Sequence, residues 1–285
     1  MASPPLKTAI SDTYPNPSNA TARAGFGQLH DYVTSLPFGH CRLVKSGANI
    51  VLQRFKGLWL TINDKDYAIP SAGVSLAATG LTVGTLYYIY AYMSGVTMTL
   101  EASTTGHSTD TATGVEIKTG DATRTLVGMA RPITGPAWAD TAAQRFVISW
   151  FNRLPITLGN GFTANRGYTS STTGEVNAEI RNEFLNWAGS GIQASINGQG
   201  GHSTTNSIMD TWIGVDGAQV DALSSFQQPT GGNRCSFNVN YAGTTTEGYH
   251  YTTLMADNPS GAGSLSYNGA AAGAVRCTLY TTIQG

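Results

Sequence analysis

The sequence contains few charged residues. Only 12% of its 285 residues are Asp, Glu, Lys or Arg, and the formal net charge is −1. An average soluble domain has roughly 25% charged residues, so the surface must be built largely from hydroxyl and amide side chains. Disordered chains combine low hydrophobicity with high net charge, whereas 41% of these residues are hydrophobic. The chain therefore folds, and its composition is typical of a β-rich extracellular or virion protein. Its near-neutral charge argues against a nucleic-acid partner.

Long apolar segments are absent. No run approaches the roughly 20 residues that span a bilayer, so we expect no membrane insertion. The N-terminal sequence MASPPLKTAISDTYPNP has one Lys and no apolar core, which is not the pattern of a signal peptide. We therefore expect synthesis in a host cytoplasm, followed by release through cell lysis, as for a virus particle, or through a leaderless route.

Cysteine is scarce, and its spacing is uninformative. Cys41, Cys235 and Cys277 lie far apart and form no CxxC or Cys/His pattern. Cys235 and Cys277 both fall in predicted strands of one half of the chain, so a disulfide between them is one alternative. We favour free buried thiols because the cytoplasm is reducing. No metal ligand is predicted.

Motifs of catalysis and cofactor binding are also missing. The sequence has no GxSxG and no GxxxxGK[ST], and the segment at Gly198 fails GxGxxG because Ser203 takes the last glycine's place. Paired carboxylates, as in glycosidases, have two candidate sets. These are Asp64 with Asp66, and a possible helix face of Glu175, Glu179 and Glu183, although solvated surfaces explain both. We predict no catalytic residue, no cofactor and no enzyme activity.

The N-terminal region, residues 1–40, predicts an extended arm and a short helix. Prolines at positions 4, 5, 15 and 17 exclude a helix there. Ser18 or Asn19 can cap a helix that runs to about residue 36. One apolar stripe follows from the 3-4-3 spacing, and it must pack on the following sheet or on another chain. Its residues are Phe26, Leu29, Tyr32, Val33 and Leu36.

Residues 41–154 predict an antiparallel β-module of about eight strands. Alternating aromatic and β-branched residues in 85–93 and 96–102 flank Ser94-Gly95 and indicate a hairpin. Residues 115–118 and 123–131 indicate a second one. A Gly/Pro loop at 133–140 and a strand at 145–153 complete the module.

Residues 155–174 are rich in Gly, Asn, Thr and Ser and predict a linker. Residues 175–285 then show six or seven strand signals with polar turns, which favour a β-sandwich or jelly roll. The first of these segments, GEVNAEIRNEFLNWAG, fits a helix or a strand, and we favour a strand. The sequence thus predicts an all-β chain with a sandwich at its C-terminal end.

Three segments resemble bacteriophage tail proteins. LKTAISDTYPNPSNATARAGFGQLHDYV resembles the opening of many phage and prophage tail proteins, and the segment from YYIYAYMSGVTMTLEAS to TLVGMAR resembles a module of tail-fibre and host-specificity proteins. EGYHYTTLMADNPSGAGSLSYNG is similar to the distal β-sandwich of such fibres. The three segments lie near the start, in the middle and near the end of the chain.

The resemblance implies a virion protein that acts as a homotrimer. Residues 1–40, with their apolar stripe, would attach it to other virion proteins, and residues 175–285 would bind a host surface glycan or protein. Tyr241, Tyr249, Tyr251 and the loop 227–234 are the candidate receptor contacts, although the tyrosines also fit strand packing. Two alternatives stay open: a head fibre or capsid decoration protein, and a polysaccharide depolymerase.

Overall fold

The computed structural model describes residues 39–270 and 276–285, which belong to two compact units. In that part of the chain, the first unit contains 39–78, 87–129 and 149–152. The second contains 79–86, 130–148 and the residues from 153 onwards. The predicted N-terminal helix and its stripe at Phe26, Leu29, Tyr32, Val33 and Leu36 lie outside the described residues, so the assembly interface stays a prediction.

Strands and loops make up almost all of the described chain. Its single helical element among 39–270 and 276–285 is a 3-10 turn at Ala178–Ile180, and no helix there is long and apolar enough to cross a membrane. The predicted all-β fold is confirmed.

The first unit is built from short antiparallel strands. They are β1 (Cys41–Ser46), β2 (Asn49–Arg54), β3 (Trp59–Ile62), β4 (Lys65–Ala68), β5 (Val74–Ala77), β6 (Tyr87–Ser94), β7 (Thr97–Ser103), β8 (His107–Thr109), β9 (Glu116–Lys118) and β10 (Asp121–Ala130). One sheet has the order β1-β2-β5, a second has β7-β6-β10-β9-β8, and β3 pairs with β4.

Both predicted hairpins of this unit are confirmed. β6 pairs with β7 so that Ser94 lies opposite Thr97, and the turn falls on Gly95 and Val96. Gly95 has a φ of 62°, a left-handed conformation that glycine adopts without a steric cost. β9 pairs with β10 around a turn at 119–120.

The second unit contains the remaining strands. They are β11 (Pro132–Ile133), β12 (Ala137–Trp138), β13 (Gln144–Arg145), β14 (Val147–Ser149), β15 (Pro155–Gly161), β16 (Arg166–Tyr168), β17 (Gly174–Glu175), β18 (Asn182–Asn186), β19 (Gly191–His202), β20 (Ser207–Val215), β21 (Ala218–Gln228), β22 (Cys235–Thr244), β23 (Gly248–Asp257), β24 (Leu265–Tyr267) and β25 (Thr278–Gln284).

Two sheets dominate this unit. The β19 sheet has the order β15-β25-β19-β24-β16, and β22 pairs with the other part of β19. The β23 sheet has the order β13-β18-β23-β20-β21, and β17 also pairs with β23. All these pairs are antiparallel except β13 with β18.

The two sheets pack face to face as a β-sandwich. Both contribute alternate side chains to one hydrophobic core, for example Ile196 and Leu279 from the β19 sheet and Ile213 and Leu254 from the β23 sheet. Burial of such side chains is the main stabilising term.

Buried polar groups also connect the sheets. The Asn182 side-chain amide donates to the Leu279 carbonyl oxygen at 3.0 Å and to Thr281 Oγ1 at 3.1 Å. Thr211 and Tyr267 hydroxyls lie 3.0 Å apart. Because a buried polar group is costly without a partner, these contacts fix how the faces pair.

Three local expectations need correction. The expected linker at 155–174 contains β15, which pairs with β25 from Pro155 to Gly161, and β16. The expected loop at 133–140 contains β12, which pairs with β11 around a turn at Gly135. The single strand expected at 145–153 is instead two short strands in different sheets. In each case either the paired strand is distant in the sequence, or the strand is too short for its side chains to show an alternating pattern.

Candidate functional site

The outer face of the β19 sheet is polar because the strand alternates. Ala194 and Ile196 face the core, so Ser195 faces outward. The register places Ser195 beside Tyr280 of β25 on one side and beside Asn240 of β22 on the other. Three strands that are distant in sequence therefore bring an aromatic ring, a hydroxyl and an amide into one row.

A second row runs parallel to the first. Gln193 lies beside Thr282 of β25 and Ala242 of β22. The two rows form an open groove of about 540 Å³, here called the β19 groove. Its lining residues are Gln193, Ala194, Ser195, Asn240, Tyr241, Ala242, Tyr280 and Thr282.

Tyr280 is the most unusual side chain of the groove. Its exposed fraction is 47%, and among the described residues of the second unit it is the one exposed large aromatic side chain. Its strand neighbour on β15 is Gly159. A Cβ atom at Gly159 would lie only 3.2 Å from the Tyr280 ring, so the ring lies against bare backbone. This packing fixes the ring on the sheet while it stays accessible to solvent.

None of the residues that line the groove is charged. Gln193 and Asn240 provide amide donors and acceptors, and Ser195 and Thr282 provide hydroxyls. The amide of Asn240 donates to Asn238 Oδ1 at 2.5 Å, so its orientation is fixed by a neighbour on the same strand. Thr282 is likewise fixed by Thr157, 3.0 Å away. The groove thus combines preorganised neutral hydrogen-bonding groups with an exposed aromatic ring.

The structure separates the three predicted receptor tyrosines. Tyr241 lines the groove, although it is partly buried and packs against the sandwich core. Tyr249 and Tyr251 lie on β23, in the other sheet. The structure therefore brings only Tyr241 to the groove.

The rings of Tyr249 and Tyr251 make intramolecular contacts. The Arg131 guanidinium carbon lies 4.1 Å from the centre of the Tyr249 ring, and the Arg181 carbon lies 4.0 Å from that of Tyr251. The Tyr249 hydroxyl donates to Glu183. Burial, together with that carboxylate, raises the pKa of Tyr249 well above its ordinary value. These contacts agree with the alternative given for the two tyrosines in the sequence analysis, that they pack within the sheet.

Sequence analysis missed Tyr280, Gln193, Ser195 and Asn240. A signal for Tyr280 was present, because Leu279, Thr281 and Ile283 alternate around it and face the core. The partners of Tyr280 could not be found from the sequence, since they depend on the register of strands far apart in the chain.

The three glutamates considered as a catalytic set do not share a helix face. Glu175 lies on β17, Glu179 in the 3-10 turn and Glu183 on β18. Glu175 and Glu179 form separate ion pairs with Arg181 and Arg166.

Burial disfavours the charged form of Glu175, but hydrogen bonds from Arg181 and Thr253 hold its pKa below the ordinary value. A carboxylate held in the charged form is a poor general acid.

Among the described residues, no group of three or more His, Cys, Asp or Glu is placed to hold a metal ion. All three cysteines are free thiols.

Comparisons with known proteins identify no relative. No protein-family model and no curated protein matches the chain. The solved structures that resemble it include the EclA C-terminal domain, a sugar-binding protein, with 8% identity, a TM-score of 0.23, and coverage of 41% of this chain and 75% of that one. A family 35 carbohydrate-binding module from an environmental isolate has 19% identity and a TM-score of 0.20, covering 39% and 88%.

A third structure, of the infectious bursal disease virus Gx strain, has 13% identity and a TM-score of 0.31, covering 88% of this chain and 66% of that one. A sugar-binding domain, a carbohydrate-binding module and a virus particle are thus among the similar structures. At these TM-scores the similarities carry no argument about function.

Proposed function

We propose that this chain is a bacteriophage tail-fibre protein that attaches the virion to a host-cell glycan through the β19 groove. The observation that carries the proposal is the exposed ring of Tyr280 among uncharged amides and hydroxyls. An aromatic face packs against the C–H face of a sugar ring, while neutral donors and acceptors pair with its hydroxyls. Fixed polar groups and a fixed ring lower the entropic cost of binding.

Adhesion in this proposal depends on several weak contacts. An open groove with one exposed ring provides modest affinity for a single sugar. In a homotrimer, three grooves on one fibre multiply that affinity on a repeated surface glycan. Residues 1–40 would connect the fibre to other virion proteins, as the resemblance to tail proteins implies. The protein would bind without cleaving its ligand.

Tyr280→Ala tests the proposal. The purified full chain should bind cells of a permissive strain, as measured by pull-down of labelled protein with the cells. Loss of the ring should lower the affinity of each groove by about tenfold, the equivalent of roughly 1.4 kcal/mol of stacking. Because the ring also packs on Gly159, thermal unfolding of the variant is measured alongside, to show that it is folded at the temperature of the binding assay.

Trp59→Ala is the matched control. Trp59 is an aromatic side chain of similar exposure, 41%, in the first unit. The proposal expects this variant to bind cells as the original protein does. Cell binding that is unchanged by Tyr280→Ala would exclude the groove, and a chain that binds no permissive strain would exclude adhesion itself.

A further inference from the structure

A second polar pocket lies at one end of the sandwich. Its volume is about 220 Å³, and it is here called the Arg234 pocket. Its lining residues are Asn165, Gly201, His202, Ser203, Gly232, Asn233, Arg234, Ser264, Ser266 and Asn268. Its size is below the roughly 300–1,000 Å³ of sites for drug-sized ligands, so it matches one small chemical unit.

The walls of this pocket are fixed by close packing. A Cβ atom at Gly201 would lie 2.0 Å from the Asn233 carbonyl oxygen, so the loop that carries Arg234 lies directly on β19. The Gly232 amide donates to the His202 carbonyl oxygen at 2.9 Å, and the Gln228 side chain donates to the Asn233 carbonyl oxygen at 2.8 Å. The loop 227–234 is therefore held against the sheet.

Arg234 is the one Lys, Arg, Asp or Glu residue of the lining. His202 Nδ1 accepts from the Thr204 amide at 2.9 Å, which leaves the proton on Nε2 facing Asn258 Oδ1 at 3.0 Å. Among the residues that the structure describes, Arg234 has neither an ion pair nor a hydrogen bond, and it is exposed. A guanidinium without a partner at a pocket mouth favours a planar anion, which it binds through two parallel hydrogen bonds.

The remaining lining groups match sugar hydroxyls. Asn165 accepts from the Gly269 amide at 2.9 Å through Oδ1, so its NH₂ group is the end available as a donor. Ser266 is exposed on β24, and its hydroxyl both donates and accepts. A ring with several hydroxyls and one carboxylate would use both kinds of group at once.

We infer that the Arg234 pocket binds a carboxylated sugar unit, with Arg234 on the carboxylate and the serine and asparagine side chains on the ring hydroxyls. This site is separate from the β19 groove, and its chemistry is different because the groove has no charge. The inference goes beyond the proposed function and does not depend on it.

Calorimetric titration of the full chain tests this inference. The two ligands are methyl glucuronide and methyl glucoside, which differ in whether a carboxylate or a hydroxymethyl group is attached to the ring. The glucuronide should bind saturably and more tightly than the glucoside, and added salt should weaken it. Arg234→Gln should reduce glucuronide affinity by at least about tenfold, because loss of even one of the two charge-assisted hydrogen bonds has an effect of that size, and it should leave the glucoside unaffected.

Lys45→Gln is the matched control for charge. Lys45 lies on β1 in the first unit, so this variant should bind the glucuronide normally. Tyr280→Ala should also bind it normally, which separates failure of this inference from failure of the proposed function. Three results would overturn the inference: unchanged glucuronide binding in Arg234→Gln, equal affinity for both sugars, or binding of acetate or inorganic phosphate as tight as that of the glucuronide.

Discussion

A pair of aspartates in the β23 sheet should destabilise the protein at neutral pH. Asp210 of β20 lies directly opposite Asp257 of β23, so their side chains share one face of the sheet. The Oδ1 atom of each is buried and has no hydrogen-bond partner among the described groups. Burial is the largest cause that raises the pKa of Asp257, and the charge of Asp210 raises it further. A hydrogen bond from Thr173 opposes this shift.

The pH dependence of folding stability follows from the raised pKa of Asp257. An aspartate whose pKa is higher in the folded state favours folding while it is protonated in both states. That contribution is complete below the unfolded pKa and is lost as pH rises through the folded pKa. Asp257 should therefore stabilise the fold less at pH 7 than at pH 3.

Asp210→Asn removes the like charge and adds an amide donor next to the buried Asp257 oxygen. We expect the variant to gain about 0.5–1 kcal/mol of unfolding free energy at pH 7, the scale of a cross-strand pair. This gain corresponds to an increase in Tm of about 1–4 °C for a protein of this size. At pH 3 the gain should be smaller, because Asp257, whose pKa is raised, is then protonated and carries no charge for Asp210 to repel.

Calorimetric unfolding at pH 7 and pH 3, in buffer containing a chelator, measures this difference. Asp121→Asn is a control variant that should change the unfolding free energy in the opposite direction. Hydrogen bonds from Thr123 and the charge of Arg124 lower the pKa of Asp121, so its neutralisation should destabilise the protein at pH 7. A Tm for Asp210→Asn that is unchanged or lower at pH 7, or equally raised at both pH values, would refute the argument.

Two further predictions concern packing and thiol reactivity. Gly198→Ala should cost about 1–3 kcal/mol of unfolding free energy by overpacking, because its Cβ would lie 2.4 Å from Cys277 Sγ. Gly191→Ala on the same strand, with its nearest contact at 3.9 Å, should cost less than this in the same denaturant titration. Burial raises the pKa of Cys41 to about 12 and that of Cys277 to about 11. A thiol reagent at pH 8 should therefore modify the partly exposed Cys235 first, and equal rates at all three would contradict this order.

The parts of the fold that could be predicted from the sequence are local ones. The hairpin of β6 and β7 combines alternating side chains with a glycine at the turn, and both signals lie within residues 87–103. One local signal was overlooked. Asp216 and Gly217 both have positive φ and form the two-residue turn between β20 and β21, and Asp-Gly is a strong hairpin signal. Within β21 itself, Ala and Ser residues interrupt the alternation of apolar and polar side chains.

The candidate site could not be predicted in the same way. Tyr280, Ser195 and Asn240 become neighbours only through strand register, and no short sequence pattern specifies that register. Tyr249 and Tyr251 were prominent in the sequence because they are close together. The structure shows that alternation places both on one face, where the guanidinium groups of Arg131 and Arg181 cover them.

The most direct test of the account is to locate bound glycan on the protein. The isotope-labelled chain would be titrated with surface polysaccharide released from a strain to which it adheres, and amide resonances would be followed by NMR. The account predicts saturable shifts at Gln193, Ser195, Asn240 and Tyr280. In Tyr280→Ala the shifts at Gln193, Ser195 and Asn240 should need about tenfold more polysaccharide to saturate. Shifts confined to the face of β23 that carries Tyr249 and Tyr251, with the β19 groove unaffected, would contradict it.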